Sequence, residues 1–179
     1  MKRKITESIE IPEGVSCEYH LNTLKCTKGS VTLHKILSAP GIKAKVEGNK
    51  IHFEAIKGAR IQYKTMKSFI AHIKNLFSGL DSEFVYKLES VNVHFPMTLK
   101  IEKNKLIINN FIGEKTPRVA NILPNVEVEA KGPLITVKSH DKEAAGQTAA
   151  NFEKATRLRG RDRRIFQDGI FITEKPGEN

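Results

Sequence analysis

Arginines crowded near the end of the chain are the residues with the clearest chemical potential. Five of the eight arginines lie between positions 157 and 164, and Asp162 is the only acidic residue among them. Guanidinium groups held this close repel one another unless an anion lies between them, and their planar donors fit phosphate oxygens two at a time. This stretch, the arginine segment, therefore predicts a binding site for a nucleic-acid backbone. Its arginines are Arg157, Arg159, Arg161, Arg163 and Arg164.

The residues after the arginine segment bear on how it is interpreted. A basic run is usually a solvated surface or a loose tail. Here the run is arginine rather than mixed lysine, and it leads into apolar residues that a free tail would not need. We therefore expect the segment to be anchored at both ends. The apolar residues are Ile165, Phe166, Ile170, Phe171 and Ile172.

The net charge favours a polyanionic partner. The chain carries a formal charge of +10 and a sequence pI near 9.6. Positive potential attracts polyanions, and the counterions that they release on binding supply affinity. Without residues 157–164, the half of the chain from residue 83 onward holds 11 basic and 12 acidic side chains, so its surplus positive charge lies in the arginine segment. Charge alone leaves RNA, DNA and an anionic membrane open as partners.

Neither a membrane span nor a cysteine-based site is predicted. No apolar run approaches the length needed to cross a bilayer, and the N-terminus lacks the apolar core of a signal peptide, so we expect a cytoplasmic protein without a membrane partner. Cys17 and Cys26 have no second pair and no Cys-x-x-Cys spacing, which predicts neither a disulfide framework nor a zinc site. We interpret both as buried small apolar residues.

Apolar periodicity predicts strands and then a helix in the first half of the chain. Residues 15–21 alternate, Asn22-Thr23 is interpreted as a turn, and Leu24 and Cys26 begin the return strand. From Met66 to Leu80 the apolar residues recur every three or four positions, which predicts a helix of about five turns. Between these elements we expect a strand over 31–37 and a second hairpin over 42–55 with its turn at Gly48-Asn49.

The second half repeats this order of patterns at offsets of 82 to 84 residues. A helix is expected over 141–157, with Ala145, Ala149 and Phe152 on its inner face. The repeat predicts an α+β fold of two tandem duplicated domains, residues 1–81 and 82–179, each a small, mainly antiparallel sheet packed on one helix. Only the second domain carries the arginine segment. Its predicted strands cover 91–95, 99–101, 106–108, 126–130 and 135–137, with a further strand over 170–172.

Residue patterns for catalysis are missing from the sequence. The six histidines are scattered singly, and no glycine-rich cofactor fingerprint or nucleophile elbow occurs. We interpret Asp162 and Asp168 as structural: Asp162 holds neighbouring arginines, and Asp168-Gly169 turns the chain before the last strand. The sequence therefore predicts no enzyme, no catalytic residue, no metal and no cofactor. The aromatic signature of an RNA-recognition-motif sheet is also missing.

Motifs at both ends of the chain resemble a known family. The opening Ile11-Pro12-Glu13-Gly14-Val15, the stretch Gly146-Gln-Thr-Ala-Ala-Asn-Phe152 and the stretch from Arg159 to Ile170 resemble the large ribosomal subunit protein six family, in its archaeal and eukaryotic-like branch. The resemblance covers nearly the whole chain. It implies a structural ribosomal protein that binds large-subunit rRNA near the sarcin-ricin loop, close to where translational GTPases act. Neighbouring ribosomal proteins are implied as further partners of a protein that is a monomer within the particle.

The resemblance and the residues indicate the same RNA-binding region. We expect the arginines to bind RNA phosphates and so to clamp two RNA helices, with specificity supplied by RNA shape and 2′-hydroxyls. Residues at the start of the second helix are predicted to add contacts through its N-terminus. The predicted RNA-binding residues are Arg157, Arg159, Arg161, Arg163, Arg164, Gln167, Lys138, His140 and Lys142.

Alternative functions of other classes remain open from the sequence. A basic adaptor would use the same arginines to bind acidic residues of a protein partner. An RNA-processing factor outside the ribosome, such as an enzyme that acts on RNA, would need a titrating pair or a metal site formed only in the fold.

Overall fold

Two compact units, Met1–Ser82 and Glu83–Asn179, make up the chain. The structure is a computed structural model that describes residues 3–177, apart from the side chains of residues 3 and 57. Within these residues the fold is α+β, with antiparallel sheets and two α-helices. Neither of those helices is both long and apolar enough to cross a membrane.

In the first unit, two three-stranded antiparallel sheets combine with one helix among the described residues. The helix, α1 (Arg60–Asp81), buries one face at three- and four-residue spacing, including Met66, Ile73 and Phe77. This confirms the predicted helix, which extends further toward the N-terminus than its apolar stripe. The strands are β1 (Arg3–Glu10), β2 (Ser16–His20), β3 (Thr23–Lys28), β4 (Val31–Ile36), β5 (Lys43–Glu47) and β6 (Lys50–Gly58). The sheet orders are β1-β6-β5 and β2-β3-β4.

The two cysteines correct a sequence prediction. Cys17 on β2 lies opposite Cys26 on β3 with 4.2 Å between the Cα atoms, and the two are joined in a disulfide. Cys26 is buried as predicted, but the pair is not two separate thiols. The disulfide was missed because the turn was predicted one residue too late. The turn is formed by Leu21 and Asn22, both at positive φ, and not by Asn22-Thr23. A turn placed one residue later would have paired Cys26 with Tyr19, since a shift of the turn shifts every cross-strand partner.

The second unit has a three-stranded and a four-stranded antiparallel sheet and one helix within the described residues. The strands are β7 (Phe84–Val91), β8 (Thr98–Glu102), β9 (Lys105–Asn109), β10 (Arg118–Asn121), β11 (Glu127–Lys131), β12 (Leu134–Ser139) and β13 (Gly169–Glu174). The helix is α2 (Lys142–Ala155), and a 3-10 turn covers Phe111–Gly113. The sheet orders are β10-β9-β8 and β11-β12-β7-β13. The strands predicted around 99–108, 126–137 and 170–172 are therefore confirmed.

The strand predicted over 91–95 is wrong. Strand β7 ends at Val91, and the residues after it form a loop in which the side chains of Val93 and Phe95 are exposed. The strand at this place is β7, which ends where the predicted strand was expected to begin. The backbone N–H of Val93 donates to the side chain of Asp168 and not to a neighbouring strand. Strands β1 and β10 were not predicted, and neither was β7 before Val91.

Helix α2 packs on the four-stranded sheet through small residues. Ala145, Ala149 and Phe152 are fully buried, as predicted for its inner face. A Cβ atom at Gly146 would lie 2.9 Å from the hydroxyl oxygen of Tyr86, so glycine allows the helix to approach β7 closely. The side chain of Asp141 accepts the N–H of Glu143 and caps the helix at its start. The helix ends at Ala155, two residues earlier than predicted, and the arginine segment follows.

Candidate nucleic-acid interface

The arginine segment is the connection between the end of α2 and the start of β13. Its first arginine comes shortly after the helix, and its last lies four residues before Asp168, which precedes the strand. All five arginine side chains are exposed. Because β13 pairs with the sheet at β7, both ends of the connection belong to the folded unit.

The start of the segment is tied down by Thr156. This residue is buried, and its hydroxyl oxygen accepts the N–H of Ile170 at 2.9 Å while its hydroxyl donates to the carbonyl of Glu153 at 3.2 Å. One side chain therefore links the last turn of α2 to the first residues of β13. The two ends of the arginine segment are held close together at this point.

A second side chain, that of Arg118, also binds the backbone at the start of the segment. Arg118 on β10 donates from Nη1 to the carbonyl oxygens of Ala155 at 2.9 Å and Arg157 at 3.2 Å. Its other two nitrogens bind the carboxylate of Glu114. Arg118 was not among the predicted site residues, although the spacing of four between Glu114 and Arg118 was a local signal of an ion pair.

The end of the segment is anchored by a buried carboxylate. Asp168 is 3% exposed and accepts the backbone N–H groups of Val93 at 2.7 Å and His94 at 3.0 Å, together with Nδ1–H of His94 at 2.6 Å. Burial by itself raises the pKa of this carboxyl group, but the hydrogen bonds from His94 and Val93 outweigh burial and lower the pKa overall. Asp168 is thus structural, as predicted, but not as part of a turn: Gly169 already belongs to β13, and Asp168 ties the segment to the loop after β7.

Aromatic stacking orients one of the arginines. The ring of His94 stacks on that of Phe166 with 5.0 Å between centroids, and the Arg161 guanidinium lies 4.7 Å from the Phe166 centroid. A guanidinium over an aromatic face is attracted by the ring quadrupole. Arg161 is therefore held against the folded unit through the same histidine that binds Asp168.

Asp162 shapes the segment through the backbone. Its side chain accepts the N–H of Arg164 at 2.9 Å, and its carbonyl accepts the N–H groups of Ile165 and Phe166. The expectation that it holds neighbouring arginines is met at the backbone of Arg164, and not by a side-chain ion pair. Among residues 3–177, no carboxylate oxygen lies within 4.0 Å of any of the five guanidinium groups.

Two concave surfaces flank the segment. One, of about 780 Å³, is lined by Arg163 and Gln167 among others. The other, of about 520 Å³, is lined by Arg118 and Arg159, with polar side chains from α2 and β10. Arg157 lines both. Basic side chains therefore face two separate concave surfaces of the second unit.

The structure separates the predicted site residues into two groups. Gln167 lies with the arginines, and its amide donates to the carbonyl of Arg164 at 3.4 Å. Lys138, His140 and Lys142 lie around the start of α2, at the opposite end of a helix of 14 residues, or about 21 Å. There Nε2 of His140 is 3.6 Å from Oε1 of Glu83, and the ammonium of Lys142 is 5.6 Å from the centroid of the Phe84 ring.

The cluster of His94, Phe166 and Asp168 was missed in the sequence. The histidine and the carboxylate are 74 residues apart, and no local pattern connects them. Among the described residues, no group of three or more histidine, cysteine, aspartate or glutamate side chains could hold a metal ion.

Comparison with known proteins identifies the family. A family model described as Ribosomal protein L6 matches residues 95–169, which include α2 and the arginine segment. Large ribosomal subunit protein uL6 of Methanococcus vannielii is 41% identical over 174 residues, which cover 97% of this chain and 96% of the relative. The chain belongs to the ribosomal protein L6 family. The uL6 protein of Methanosarcina mazei is 39% identical over 175 residues, covering 98% of this chain and 99% of that protein. The resemblance found in the sequence is thereby confirmed, and L6 proteins are structural components of the ribosome and not enzymes.

Proposed function

We propose that this L6 protein is a structural constituent of the large ribosomal subunit in the cytoplasm and that its arginine segment binds the sugar-phosphate backbone of large-subunit rRNA. The observation that carries the proposal is the set of five exposed arginines on an anchored loop, with no carboxylate of the described chain within 4.0 Å. Phosphate oxygens would relieve the repulsion between these guanidinium groups and satisfy their donors.

Anchoring makes the segment suited to binding. A loose tail loses conformational entropy when it binds, whereas a loop already held in place loses less. Thr156 and Asp168 fix the two ends of the segment, and the contact between Arg161 and Phe166 holds its middle. Most of the ordering cost is therefore met during folding of the second unit.

The two concave surfaces support a clamp on two RNA strands. Arg159 faces one surface and Arg163 the other, with Arg157 between them. RNA strands bound on both would have their mutual repulsion reduced by the arginines. Phosphate contacts fix position and carry little sequence information, so specificity would come from RNA shape and 2′-hydroxyl groups.

The family resemblance extends this proposal to a location. It implies rRNA near the sarcin-ricin loop, beside the site of translational GTPases, with neighbouring ribosomal proteins as further partners of a single copy in each particle. Lys138, His140 and Lys142 would form a separate RNA contact at the start of α2, because they lie at the far end of the helix from the arginines.

We further propose that the two units are tandem copies of one module. Strands β1 to β6 and helix α1 have the same order and sheet pairing as β7 to β12 and α2. The supporting observation is this correspondence of topology, strand by strand. The arginine segment and β13 follow as an extension of the second copy.

Sedimentation of the endogenous protein tests the proposed function. We expect recovery with the large ribosomal particle at moderate salt and release after ribonuclease digestion. Recovery as a free monomer would contradict the ribosomal role. A protein complex that survives ribonuclease would instead favour an adaptor whose arginines meet acidic residues of a partner.

A further inference from the structure

Arg118 differs from the arginines of the segment because all three nitrogens of its guanidinium group already donate hydrogen bonds within the second unit. Nε and Nη2 bind the two carboxylate oxygens of Glu114 at 2.8 and 2.6 Å. Nη1 donates to two backbone carbonyls, and the guanidinium lies 4.3 Å from the centroid of the buried Phe111 ring. All three nitrogens are used, so little of its hydrogen-bonding capacity remains for a phosphate.

The carbonyls that Arg118 binds lie where the chain leaves α2. The last four carbonyls of a helix lack partners within the helix and carry its partial negative charge. Arg118 binds the carbonyl of Ala155, the last helical residue, and that of Arg157, the first arginine of the segment. It therefore fixes the direction in which the backbone turns from the helix into the arginine segment.

Within the described residues, Arg118 makes the last of three polar contacts that join α2 to β10 and to the residues just after it. Thr148 accepts the N–H of Leu123 at 3.2 Å, and Asn151 donates to the carbonyl of Asn121 at 3.0 Å. Together with Ala155, these helix positions are spaced by three and four residues and so share one face. The first two contacts hold the body of the helix, whereas Arg118 holds the point of exit.

Glu114 orients this arginine. A bidentate carboxylate fixes the plane of a guanidinium, and here that plane directs Nη1 toward the two carbonyls. The hydrogen bond from Arg118 lowers the pKa of the Glu114 carboxyl, against the effect of burial, and the charges of Arg118 and Arg161 lower it further. Glu114 is therefore ionised at neutral pH, although a negative charge near an RNA-binding surface would by itself repel RNA.

We infer that Arg118, held by Glu114, is a positioning residue for RNA binding: it sets the path of the arginine segment and does not bind phosphate itself. The inference rests on the proposed function, since it assumes that the segment binds rRNA. It also implies that Glu114 strengthens RNA binding, whereas an acidic residue that only repels RNA would weaken it.

Replacement of Glu114 by glutamine separates these roles. Glu114→Gln raises the net charge by one, so general electrostatics predicts tighter binding to RNA. The positioning role predicts weaker binding, by about tenfold, the equivalent of one hydrogen bond between charged groups. The matched control is Glu127→Gln, which removes an exposed carboxylate on β11 of the same unit, and for it we expect equal or slightly tighter binding.

Replacement of Arg118 by lysine tests the positioning role independently, for example if Glu114→Gln folds poorly. Arg118→Lys keeps the charge but cannot form the two-pronged pair with Glu114 and also reach the carbonyls. We expect an affinity loss of similar size with an unchanged salt dependence, because the number of phosphates bound stays the same. A lysine that kept most of the affinity would show that Arg118 acts as a simple charge and would overturn the inference.

The measurement is binding of the full-length variants to a transcript of large-subunit rRNA over a range of salt concentrations, well below the midpoint of thermal unfolding. Weaker binding by both Glu114→Gln and Arg118→Lys supports the inference. It is overturned if Glu114→Gln binds as tightly as the unaltered protein or more tightly. It is also overturned if Arg118→Lys lowers the thermal midpoint without changing the affinity of the folded protein. Failure of the unaltered protein to bind the transcript would instead contradict the proposed function itself.

Discussion

The two units share a plan and differ in the segment that leaves the helix. Each arranges six corresponding strands in two sheets and places a helix after the last of them. After α1 the chain passes directly into β7, whereas after α2 it forms the arginine segment and returns as β13 beside β7. The second unit therefore differs from the first by one further segment and one further strand, while the six corresponding strands keep the same pairing.

Several lysines and Arg118 form ion pairs within their own unit, in contrast to the arginines of the segment. In the first unit, Lys4, Lys28, Lys50 and Lys67 each lie 2.5 to 2.8 Å from a carboxylate of the same unit. The hydrogen bond that the Lys67 ammonium donates to Glu7 raises the pKa of Lys67, for example. The arginines of the segment have no such partner among the described residues. Net charge alone therefore does not show which basic residues form ion pairs within the described chain.

The largest expected effect comes from removing unpaired arginines. Replacement of Arg159, Arg163 and Arg164 together by alanine should weaken rRNA binding by at least about a hundredfold at about 0.15 M salt, because three phosphate contacts are lost. The thermal midpoint should stay nearly unchanged, since the three side chains are exposed. Filter binding and calorimetry of the purified protein would measure the two quantities.

The matched control removes the same number of charges elsewhere in the second unit. Replacement of Lys103, Lys105 and Lys131 by alanine should change the affinity much less, because these lysines are exposed and lie outside the segment. Equal losses in the two triple variants would show that total charge decides binding. A large loss of stability in the arginine variant would show that these residues serve the fold.

The next largest effect should come from the buried anchor of the segment. Asp168→Ala removes the acceptor of three hydrogen bonds, two of them from backbone N–H groups, and should lower the free energy of unfolding by about 3 kcal/mol. It should also weaken RNA binding, because the segment loses its fixed end. A stable variant with unchanged affinity would contradict the role of Asp168 as an anchor.

The pH dependence of that effect is set by the lowered pKa of Asp168. A carboxyl group with a lower pKa in the folded state stabilises the protein above its unfolded pKa of about 3.9 and stops doing so as the pH falls through the folded pKa. The stability difference between the unaltered protein and Asp168→Ala should therefore shrink as the pH falls below about 4. Urea unfolding at several pH values would measure it.

A smaller effect, confined to stability, is expected in the first unit. Cys17→Ser together with Cys26→Ser should lower the free energy of unfolding by about 2.5 kcal/mol, because the disulfide closes a loop of about ten residues in the unfolded chain. The affinity for rRNA should not change, since the pair is outside the arginine segment. Reduction of the unaltered protein with dithiothreitol should lower the thermal midpoint in the same way.

Most of the fold could be predicted from local sequence patterns. The hairpin around Gly48, the helix containing Met66 and Phe77 and the inner face of α2 all follow from the spacing of apolar residues. The errors have physical causes. The turn predicted at Asn22-Thr23 lies one residue earlier in the structure, and this shift hid the pairing of the cysteines.

The sequence predicted the arginine segment and its anchoring at both ends, but not the partners that anchor it. Runs of one residue type are visible locally, whereas the contact between His94 and Asp168 joins two loops that are distant in sequence. Arg118 likewise acts on carbonyls 37 and 39 residues away. Such contacts depend on how the elements pack, and periodicity contains no information about them.

The salt dependence of rRNA binding tests the central claim most directly, because it reports how many phosphates the protein neutralises. If the five arginines of the segment each bind one phosphate, the logarithm of the affinity should fall with the logarithm of the salt concentration at a slope of roughly −3.5 to −4.5. A slope of about −1 would contradict the claim that unpaired arginines of the second unit hold the RNA backbone.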